Sequence, residues 1–359
     1  MSSSWGKRIR ISLFGESRGA AVGVVLDGLP AGEALDLKQL QHFMSRRAPD
    51  GDELSSSRRE ADEPKILSGL KSGFTTGAPL AILIENKDAV QPEGEDRTRV
   101  PRPGHADYPA QVKYHGYQDA GGGGHFSGRL TAPLCAAGGI CLQLLSRRGI
   151  TIGAHIASIA SVQDERFNAV HLELQTLQKL QSLRMPVLSA EAGDQMRRAI
   201  LCEASDGDSL GGVIECAALG LPIGLGGAWF GGLESRIASL VYAIPAVKGL
   251  EFGDGFAAAN MRGSEHNDAY VLRDGALGME TNHAGGVLGG MSTGLPLIFR
   301  TAFKPTPSIA KPQRTVDLQS GEETTLCVTG RNDPCVVLRA VPAVEAATAI
   351  ALLDALLEG

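Results

Sequence analysis

The chain has 359 residues, of which 43% are hydrophobic, 21% charged and 5% aromatic, and its formal net charge is −6. This length allows one large domain or two ordinary ones with ample core. The net charge argues against nucleic acid or an anionic membrane as the general partner, so basic residues that bind an anion would have to cluster locally.

The N-terminus has no apolar signal core, and no run is expected to approach the length of a membrane span. The six cysteines show no CxxC pair and no zinc spacing, so no metal site is expected. A reduced, cytoplasmic protein is the simplest interpretation. Glycine is in excess, with 46 residues that cluster at 121–124, 224–232 and 285–294; such clusters are typical of tight turns and of backbone that approaches a ligand closely.

The first predicted elements are a strand-like run at 8–13, a charged turn FGESRG at 14–19, and a second strand-like run at 22–26. A segment with apolar residues at helical spacing follows at 35–45. The turn carries an acid, a hydroxyl and the guanidinium of Arg18 between two glycines.

This opening stretch recurs further along the chain. GESRG at 15–19 and GLPAG at 28–32 match GDSLG at 207–211 and GLPIG at 220–224 with the same internal spacing. A second set of glycine, threonine and proline positions at 69–80 matches 286–297 in step. Two matches in the same order predict a duplicated architecture. Arg18 corresponds to Leu210, so the charge belongs to one copy only.

We therefore expect a single domain, 1–359, built of two similar halves at about 8–150 and 200–345, with a helical insertion at about 161–200. The strand-like runs are too close together for helical crossovers, which favours antiparallel sheets with helices. The predicted fold class is α+β, a pseudo-duplicated sandwich of antiparallel sheets and helices. The C-terminal segment from 341 is strongly helical in pattern.

The stretch at 99–140 contains the densest chemistry: Arg102, His105, Asp107, Lys113, His125 and Arg129 surround the four-glycine run. A glycine run that enters a helix N-terminus offers backbone N–H groups to an anion. A loop whose histidines only cap turns is the alternative; the coincidence of cations and glycines favours a site.

Further basic clusters are Arg46-Arg47, Arg58-Arg59, Lys304 and Arg331. Each alone is more typical of a solvated surface, but the segment 304–308, KPTPS, offers an ammonium and two hydroxyls that suit a phosphate. The chain lacks the nucleotide-hydrolase glycine loop, GxGxxG and the G-x-S-x-G elbow. From these residues alone, we expect a protein that binds a multiply anionic small molecule.

Together, the motifs FGES, SRR, SSRREADEPKILSGL, TTGAPLAILIENKD, RPGHADY, GGGHFSGRLTAPL, KGLEFGDGF, NHAGGVLGG, KPTPSI and DPCVVLRAVPAVEA resemble those of the chorismate synthase family. The resemblance runs from about Ile9 to the C-terminus. It implies an anti 1,4-elimination of phosphate from 5-enolpyruvylshikimate 3-phosphate, giving chorismate, with reduced FMN as cofactor, NADPH as an indirect reductant in some members, and a homotetramer.

The resemblance also implies roles for particular residues. Arg46, Arg47, Arg129 and Arg331 would hold substrate anions, and Arg47 is where NADPH is assigned in some members. Asp333 would assist proton transfer at flavin N5, and His105 would protonate or hydrogen-bond the reduced flavin. The residues assigned to FMN are His125, Phe126, Ser127, Ala246, Gly289, Lys304, Pro305, Thr306, Pro307, Ser308 and Arg331.

Three positions depart from the family pattern: Arg18 stands where the family has a histidine taken to protonate the leaving phosphate, Asn332 where it has a histidine, and Gly121 where it commonly has an arginine. A guanidinium with a pKa above ~12 is not a useful proton donor, but it can neutralise the departing phosphate. One alternative is a catalytically impaired homologue that binds flavin or a phosphorylated ligand. Another, an unrelated flavin reductase, would need a nicotinamide pocket, and the sequence has no Rossmann turn.

Overall fold

The computed structural model describes residues 3–49, 51, 53–56, 60–87, 97–273, 275–328 and 330–358. Its strands are β1 (Ser4–Trp5), β2 (Arg10–Gly15), β3 (Ala21–Asp27), β4 (Lys65–Ile66), β5 (Leu70–Lys71), β6 (Phe74–Thr75), β7 (Leu80–Glu85), β8 (Thr151–Ile159), β9 (Val162–Gln163), β10 (Gly212–Leu219), β11 (Val247–Phe252), β12 (Tyr270–Arg273), β13 (Ala276–Met279), β14 (Val287–Leu288), β15 (Met291–Ser292), β16 (Leu297–Phe303), β17 (Gln313–Asp317) and β18 (Glu322–Leu326). Its α-helices are α1 (Leu37–Arg47), α2 (Asp107–Lys113), α3 (Thr131–Ser146), α4 (Leu174–Ser182), α5 (Ala190–Ser205), α6 (Leu233–Val241), α7 (Gly263–His266) and α8 (Val337–Glu358).

Two five-stranded sheets enclose the central helices. The first has the order β1-β2-β3-β7-β4 and the second β9-β8-β10-β16-β11, and every pairing in both is antiparallel. Helix α3 packs against β3 and β7, α8 packs against β8 and β10, and the two helices pack against each other. The sandwich of antiparallel sheets and helices is thus the predicted one.

The backbone repeats as the sequence does. Gly69, Gly73 and Gly77 each have φ of +82°, and their counterparts at 286, 290 and 294 have +81°, +84° and +91°. The hydroxyl of Thr75 donates to the carbonyl of Pro30 at 2.6 Å, and that of Ser292 donates to Pro222 at 2.5 Å. Equivalent turns therefore use the same left-handed backbone, which only glycine adopts without strain. The turns that match in sequence therefore also match in backbone conformation, as the predicted duplication requires.

The strand order also bears on where the halves divide. The central strands of the two sheets correspond in the order β2-β3-β7-β4 and β8-β10-β16-β11. By this correspondence β8, which begins at 151, belongs with the second sheet, and the helices α4 and α5 lie between its paired strands β8 and β10. The boundaries at about 8–150 and 200–345 stay a prediction. The strand pairing suggests that the second half begins at β8, near residue 151.

Two apolar helices form the centre of the molecule. The segments Gly128–Ser146 and Val337–Glu358 are long and apolar enough to cross a membrane, so the expectation that no run approaches that length is wrong. In each, 89% of the apolar window is buried inside the protein. Their hydropathy is accounted for by their position as core helices between two sheets.

A buried histidine joins the helical segment to the second sheet. His155 on β8 lies with Nδ1 3.0 Å from Asp164 and Nε2 3.0 Å from Glu215 on β10. Asp164 also accepts hydrogen bonds from the backbone N–H groups of Leu188 and Ser189, just before α5. Burial alone would lower the pKa of His155, but its two carboxylate partners raise it above the ordinary value. The ring therefore holds its proton, and donates from both nitrogens, to a higher pH than an ordinary histidine.

We expect His155→Gln to lower the free energy of unfolding by about 3–5 kcal/mol at about pH 6, because it leaves buried carboxylates without their charged partner. The folded-state pKa is raised above ~6.5, so this stabilisation is complete below that pH and is lost as the pH rises through the raised pKa. Urea unfolding across this range measures it. The exposed His171→Gln is the control; equal pH dependence of the natural chain and His155→Gln would contradict the assignment.

Candidate active site

A cavity of about 660 Å³ is enclosed by the ends of helices α1, α2, α3 and α8 and by the loops next to them. Residues near the start of the chain, around the four-glycine run, after β16 and before α8 all line it. Its lining cations are Arg18, Arg47, Arg97, Arg102, Arg129, Lys304, Arg331 and Arg339, and its lining carboxylates are Glu60, Asp107, Asp119 and Asp333. Positive charge is thus concentrated here although the whole chain carries −6.

The turn FGESRG connects β2 to β3 and is held from three sides. The side-chain amide of Asn86 donates to the carbonyls of Glu16 and Gly19 at 3.0 and 2.8 Å. The Ser17 hydroxyl donates to Gly121 O at 3.1 Å, and the backbone of Ser17 donates to Gly124 O at 3.1 Å. The turn is therefore fixed to the four-glycine run, and Arg18 at its tip lines the cavity.

The four-glycine run is a meeting point for guanidinium groups. The carbonyl of Gly122 accepts from Arg97 Nη1 at 2.5 Å and from Arg102 Nη2 at 2.8 Å. The Arg18 side chain lies against Gly121 and Gly122. Two arginines of one loop and one of the FGESRG turn thus meet at one stretch of backbone.

His105 stands on the turn before α2. Its Nδ1 lies 3.0 Å from the carbonyl of Pro103, to which it donates, and its Nε2 accepts from the Ser308 hydroxyl at 2.8 Å. Burial, followed by the charge of Arg102, lowers the pKa of His105 to about 4. The ring is therefore uncharged at neutral pH in the free protein, and an anion placed beside it would raise that pKa.

Arg102 and Asp107 hold the His105 turn in place. Two guanidinium nitrogens of Arg102 donate to the Asp107 carboxylate at 2.8 Å each, in a bidentate pair. Burial would raise the pKa of Asp107, but its hydrogen bonds from Arg102 hold it below the ordinary value. The RPGHAD stretch therefore folds into a rigid loop that presents His105 to the cavity.

The segment after β16 forms the opposite wall. Lys304 Nζ donates to the carbonyl of Gly104 at 2.6 Å, and burial, followed by the charge of Lys248, lowers the pKa of Lys304. Thr306 and Ser308 place hydroxyls on the same wall. An ammonium beside two hydroxyls is the arrangement that the sequence predicted for a phosphate.

A buried ion cluster forms part of the cavity wall. Asp62 accepts from Nη1 of both Arg47 and Arg129, and Arg129 also lies 2.9 Å from Glu60. Burial would raise the pKa of Asp62, but the charges of Arg47 and Arg129 hold it below its ordinary value. Arg47 and Arg129 thus line the cavity while their charge is largely balanced from behind.

Asp333 is oriented by two donors before helix α8. Its carboxylate accepts from the backbone N–H of Ser56 at 2.8 Å and from Arg339 Nη1 at 2.7 Å. Arg339 Nε donates to the carbonyl of Arg47 at 2.9 Å, which ties this group to the end of α1. Arg331, two residues before Asp333, lines the same cavity.

Most of the predicted site residues meet in this cavity. Those that line it are Arg18, Arg47, His105, Phe126, Ser127, Arg129, Ala246, Lys304, Thr306, Pro307, Ser308, Arg331 and Asp333. Ala246 has φ of +76°, an unusual backbone conformation for a residue other than glycine. Arg58 and Arg59 lie outside the described residues.

Four predicted residues lie elsewhere. Arg46 pairs with the buried Glu345 and borders a separate cavity of about 180 Å³. His125 donates from Nδ1 to Gly15 O at 2.8 Å and accepts from Ser3, so it supports the FGESRG turn. Pro305 packs near Gly211, and Gly289 is an exposed residue of the β14–β15 turn.

The sequence reasoning did not assign site roles to Ser17, Arg97, Gln118 and Arg339, which line the cavity, or to Asn86, which holds the FGESRG turn. Asn86 directly follows the apolar run that forms β7, and a polar residue at that point is a usable signal. Arg339 is the third residue of α8, whose pattern is otherwise apolar. A single arginine in such a helix indicates a buried charge that needs a partner, which is also a usable signal. The other positions carry no local signal.

Three buried oxygens on the cavity wall have no hydrogen-bond partner among the described residues: Ser56 Oγ, Gln118 Oε1 and Thr306 Oγ1. Buried polar groups are almost always satisfied in a native protein by protein, solvent or ligand. Together with the volume, which falls in the range of about 300–1,000 Å³ typical of small-molecule sites, they indicate a ligand with polar edges.

Comparison with known proteins agrees with this geometry. A family model described as "Chorismate synthase" matches residues 9–357. The chain is 47% identical to a chorismate synthase of Thermococcus kodakarensis over 98% of this chain and 97% of the relative. It is 45% identical to one of Lancefieldella parvula over 99% of this chain and 96% of that relative.

A solved structure, described as a crystal structure of chorismate synthase, aligns with a TM-score of 0.77 at 28% identity and covers 99% of this chain and 93% of that one. It confirms the predicted fold class. On the family match, the extent of the relatives and this structural likeness, the chain belongs to the chorismate synthase family, whose members are lyases.

Proposed function

We propose that the cavity binds reduced FMN together with 5-enolpyruvylshikimate 3-phosphate, and that the chain catalyses the anti 1,4-elimination of phosphate that gives chorismate. The observation that carries this proposal is the convergence of Arg18, His105, Lys304, Arg331 and Asp333 on one cavity from four separate parts of the chain. No comparison supports the alternative of a homologue that binds without turnover.

The charge of the cavity suits these ligands. The substrate's phosphate and two carboxylates carry roughly four negative charges near neutral pH, and the FMN phosphate adds about two more. Eight lining cations, less four lining carboxylates and the Asp62 behind them, leave an excess of three positive charges. An anion in a partly dehydrated cavity is attracted more strongly than one in water.

The residues present fit FMN. The Lys304 ammonium and the hydroxyls of Thr306 and Ser308 would hold its phosphate, and the orphaned oxygens of Ser56 and Gln118 offer partners to polar ring edges. Reduced FMN bound here would supply an electron that is lent to the substrate and returned within the same turnover, so that the elimination has no net redox change, and a basic N5 for the ring proton.

The protein's own groups act by position and charge. The Arg18 guanidinium neutralises the departing phosphate without giving up a proton, an electrostatic role. Asp333, held by Ser56 and Arg339, assists the transfer of the ring proton at flavin N5 and then releases that proton to solvent. His105 is uncharged in the free protein and becomes protonated as the anions bind.

Three further assignments rest on the family resemblance. They are NADPH as an indirect reductant, a cytoplasmic location and a homotetramer. Arg47, where the resemblance puts NADPH, has a side chain only 4% exposed and engaged with Asp62, which leaves little surface for a direct contact. An external reductant for the flavin is therefore the simpler arrangement.

Exposed aromatic residues support an oligomer. Trp229 and Phe230 are 87% and 92% exposed, and Trp229 holds a left-handed backbone with φ of +55°. Gly289 lies next to this surface, because its neighbour Gly290 packs on Gly227 and Gly232. If Gly289 contacts FMN, as the resemblance implies, it does so from another copy of the chain.

Chorismate formation under anaerobic conditions with pre-reduced FMN tests the function directly. We expect turnover by the natural chain, and a loss of about 10²–10⁴-fold in Asp333→Asn because proton transfer is removed. Arg314→Ala, at an exposed ion pair, is the matched control. If the natural chain is inactive while Arg18→His forms chorismate, Arg18 does not serve the elimination.

Binding of the phosphorylated substrate should be coupled to proton uptake by His105. A dianion placed nearby raises the depressed pKa from about 4 toward the ordinary value. We expect calorimetric titration at about pH 6, in two buffers of different ionisation enthalpy, to show a larger proton uptake for the natural chain than for His105→Asn. Subtracting the proton uptake of His105→Asn from that of the natural chain cancels the protons that the ligand itself takes up or releases. Equal uptake by the two chains would contradict the assignment.

The oligomer has its own test. We expect light scattering on the natural chain to report a tetramer, and Phe230→Asp to reduce the assembly because it places a charge in an apolar contact. Leu272→Asp, on the exposed β12–β13 hairpin, is a control for a general effect of surface charge. A monomeric natural chain would rule out the proposed assembly.

A further inference from the structure

Arg18 reaches the cavity by lying across glycines. A Cβ atom at Gly121 would be 3.5 Å from both Cβ and Cδ of Arg18, and one at Gly122 would be 3.4 Å from its Cγ and 3.3 Å from its Nε. The whole stem of Arg18 therefore runs along the face where residues 121 and 122 would project side chains.

The two glycines differ in what requires them. Gly122 has φ of +69°, and a Cβ there would be 2.4 Å from Ser17 Oγ, so its backbone and the turn both demand glycine. Gly121 has no left-handed φ; a Cβ there would be tight only against the carboxylate tip of Asp119, at 2.8 Å, and would touch Arg18 in ordinary van der Waals contact at 3.5 Å. Atoms beyond Cβ on this face would meet the Arg18 stem, so the glycine at 121 leaves the face open to Arg18 and is not required by its backbone conformation.

The relative position of the two segments is fixed. Ser17 is hydrogen-bonded to Gly121, Gly123 and Gly124, so the backbone of residue 18 cannot move away from the glycine run without breaking these contacts. A side chain longer than a methyl group at 121 would therefore lie against the stem of Arg18 in its present position.

We propose that Arg18 and Gly121 act as a coupled pair that determines how this chain binds the phosphate group of its ligand: Arg18 supplies the guanidinium, and Gly121 is a positioning residue that leaves the slot for it. This inference rests on the proposed function for the identity of the phosphate. A side chain at 121 would displace the guanidinium, and a guanidinium placed at 121 could occupy the slot once residue 18 is short.

The test transfers the guanidinium across this contact. The variants are Arg18→Ala, Gly121→Arg and the double variant, and the measurement is the ratio of affinities for 5-enolpyruvylshikimate 3-phosphate and its phosphate-free counterpart. We expect Arg18→Ala to reduce this ratio about 10- to 100-fold, the scale of a hydrogen bond to a charged group. The double variant should recover about tenfold of that loss, so the two changes are strongly non-additive.

A matched control separates position from charge. Gly128 lines the same cavity, has no left-handed φ, and a Cβ there would meet nothing within 4 Å. Arg18→Ala with Gly128→Arg adds the same charge away from the slot, and we expect no recovery. Recovery equal to that of the Gly121→Arg double variant would overturn the proposal, as would additive effects.

Two safeguards keep the outcome decisive. Should the Gly121→Arg chains not fold, as judged by thermal unfolding, Gly121→Leu replaces them: it should weaken phosphate binding in the natural chain and leave the Arg18→Ala chain unchanged. Inorganic pyrophosphate probes the same slot without the shikimate ring. If pyrophosphate binding shows the coupling but no chorismate is formed, the inference holds and the proposed function is wrong. If chorismate is formed but the two residues are not coupled, the proposed function holds and the inference is wrong.

Discussion

The close contact between helices α3 and α8 is the constraint on which the site depends. A Cβ atom at Gly138 of α3 would lie 2.2 Å from the Cβ of Ala346 on α8, so the helices touch through small residues. The loops that lead into both helices contribute residues to the cavity wall, at 122–129 before α3 and at 330–336 before α8. Because protein interiors are densely packed, the separation of the helices sets the separation of the two walls.

Around that contact, paired charged side chains keep the cavity wall ordered. Four lining arginines are held by carboxylates of the chain itself: Arg102 by Asp107, Arg47 and Arg129 by Asp62, and Arg339 by Asp333. Buried pairs of this kind contribute little net stability, but losing one partner is costly because the other charge stays buried. They therefore serve to keep the cavity's groups in place before any ligand arrives, which is what electrostatic catalysis requires.

Local patterns in the sequence predicted the repeat, the antiparallel sheets and the basic side chains of the cavity. These features could be predicted because glycine turns and basic clusters consist of residues that are adjacent in the chain. They could not resolve neighbours on one helix. Arg46 and Arg47 are adjacent at the end of α1, yet one pairs with Glu345 and the other with Asp62. Which faces the cavity depends on packing partners some 300 and 15 residues away in the chain. Similarly, the apolar length of α8 predicted neither its burial nor its place between two sheets.

The duplicated scaffold has a consequence for the orientation of whatever it binds. Matching turns approach the cavity region from both halves, with Ser17 hydrogen-bonded to the loop before α3 and Leu210 to Pro334 before α8. If the two halves presented identical turns to the cavity, an asymmetric ligand could bind in either of two opposite orientations. Because one turn carries a cation and its twin a leucine, the two directions differ in energy for a molecule with an anionic end.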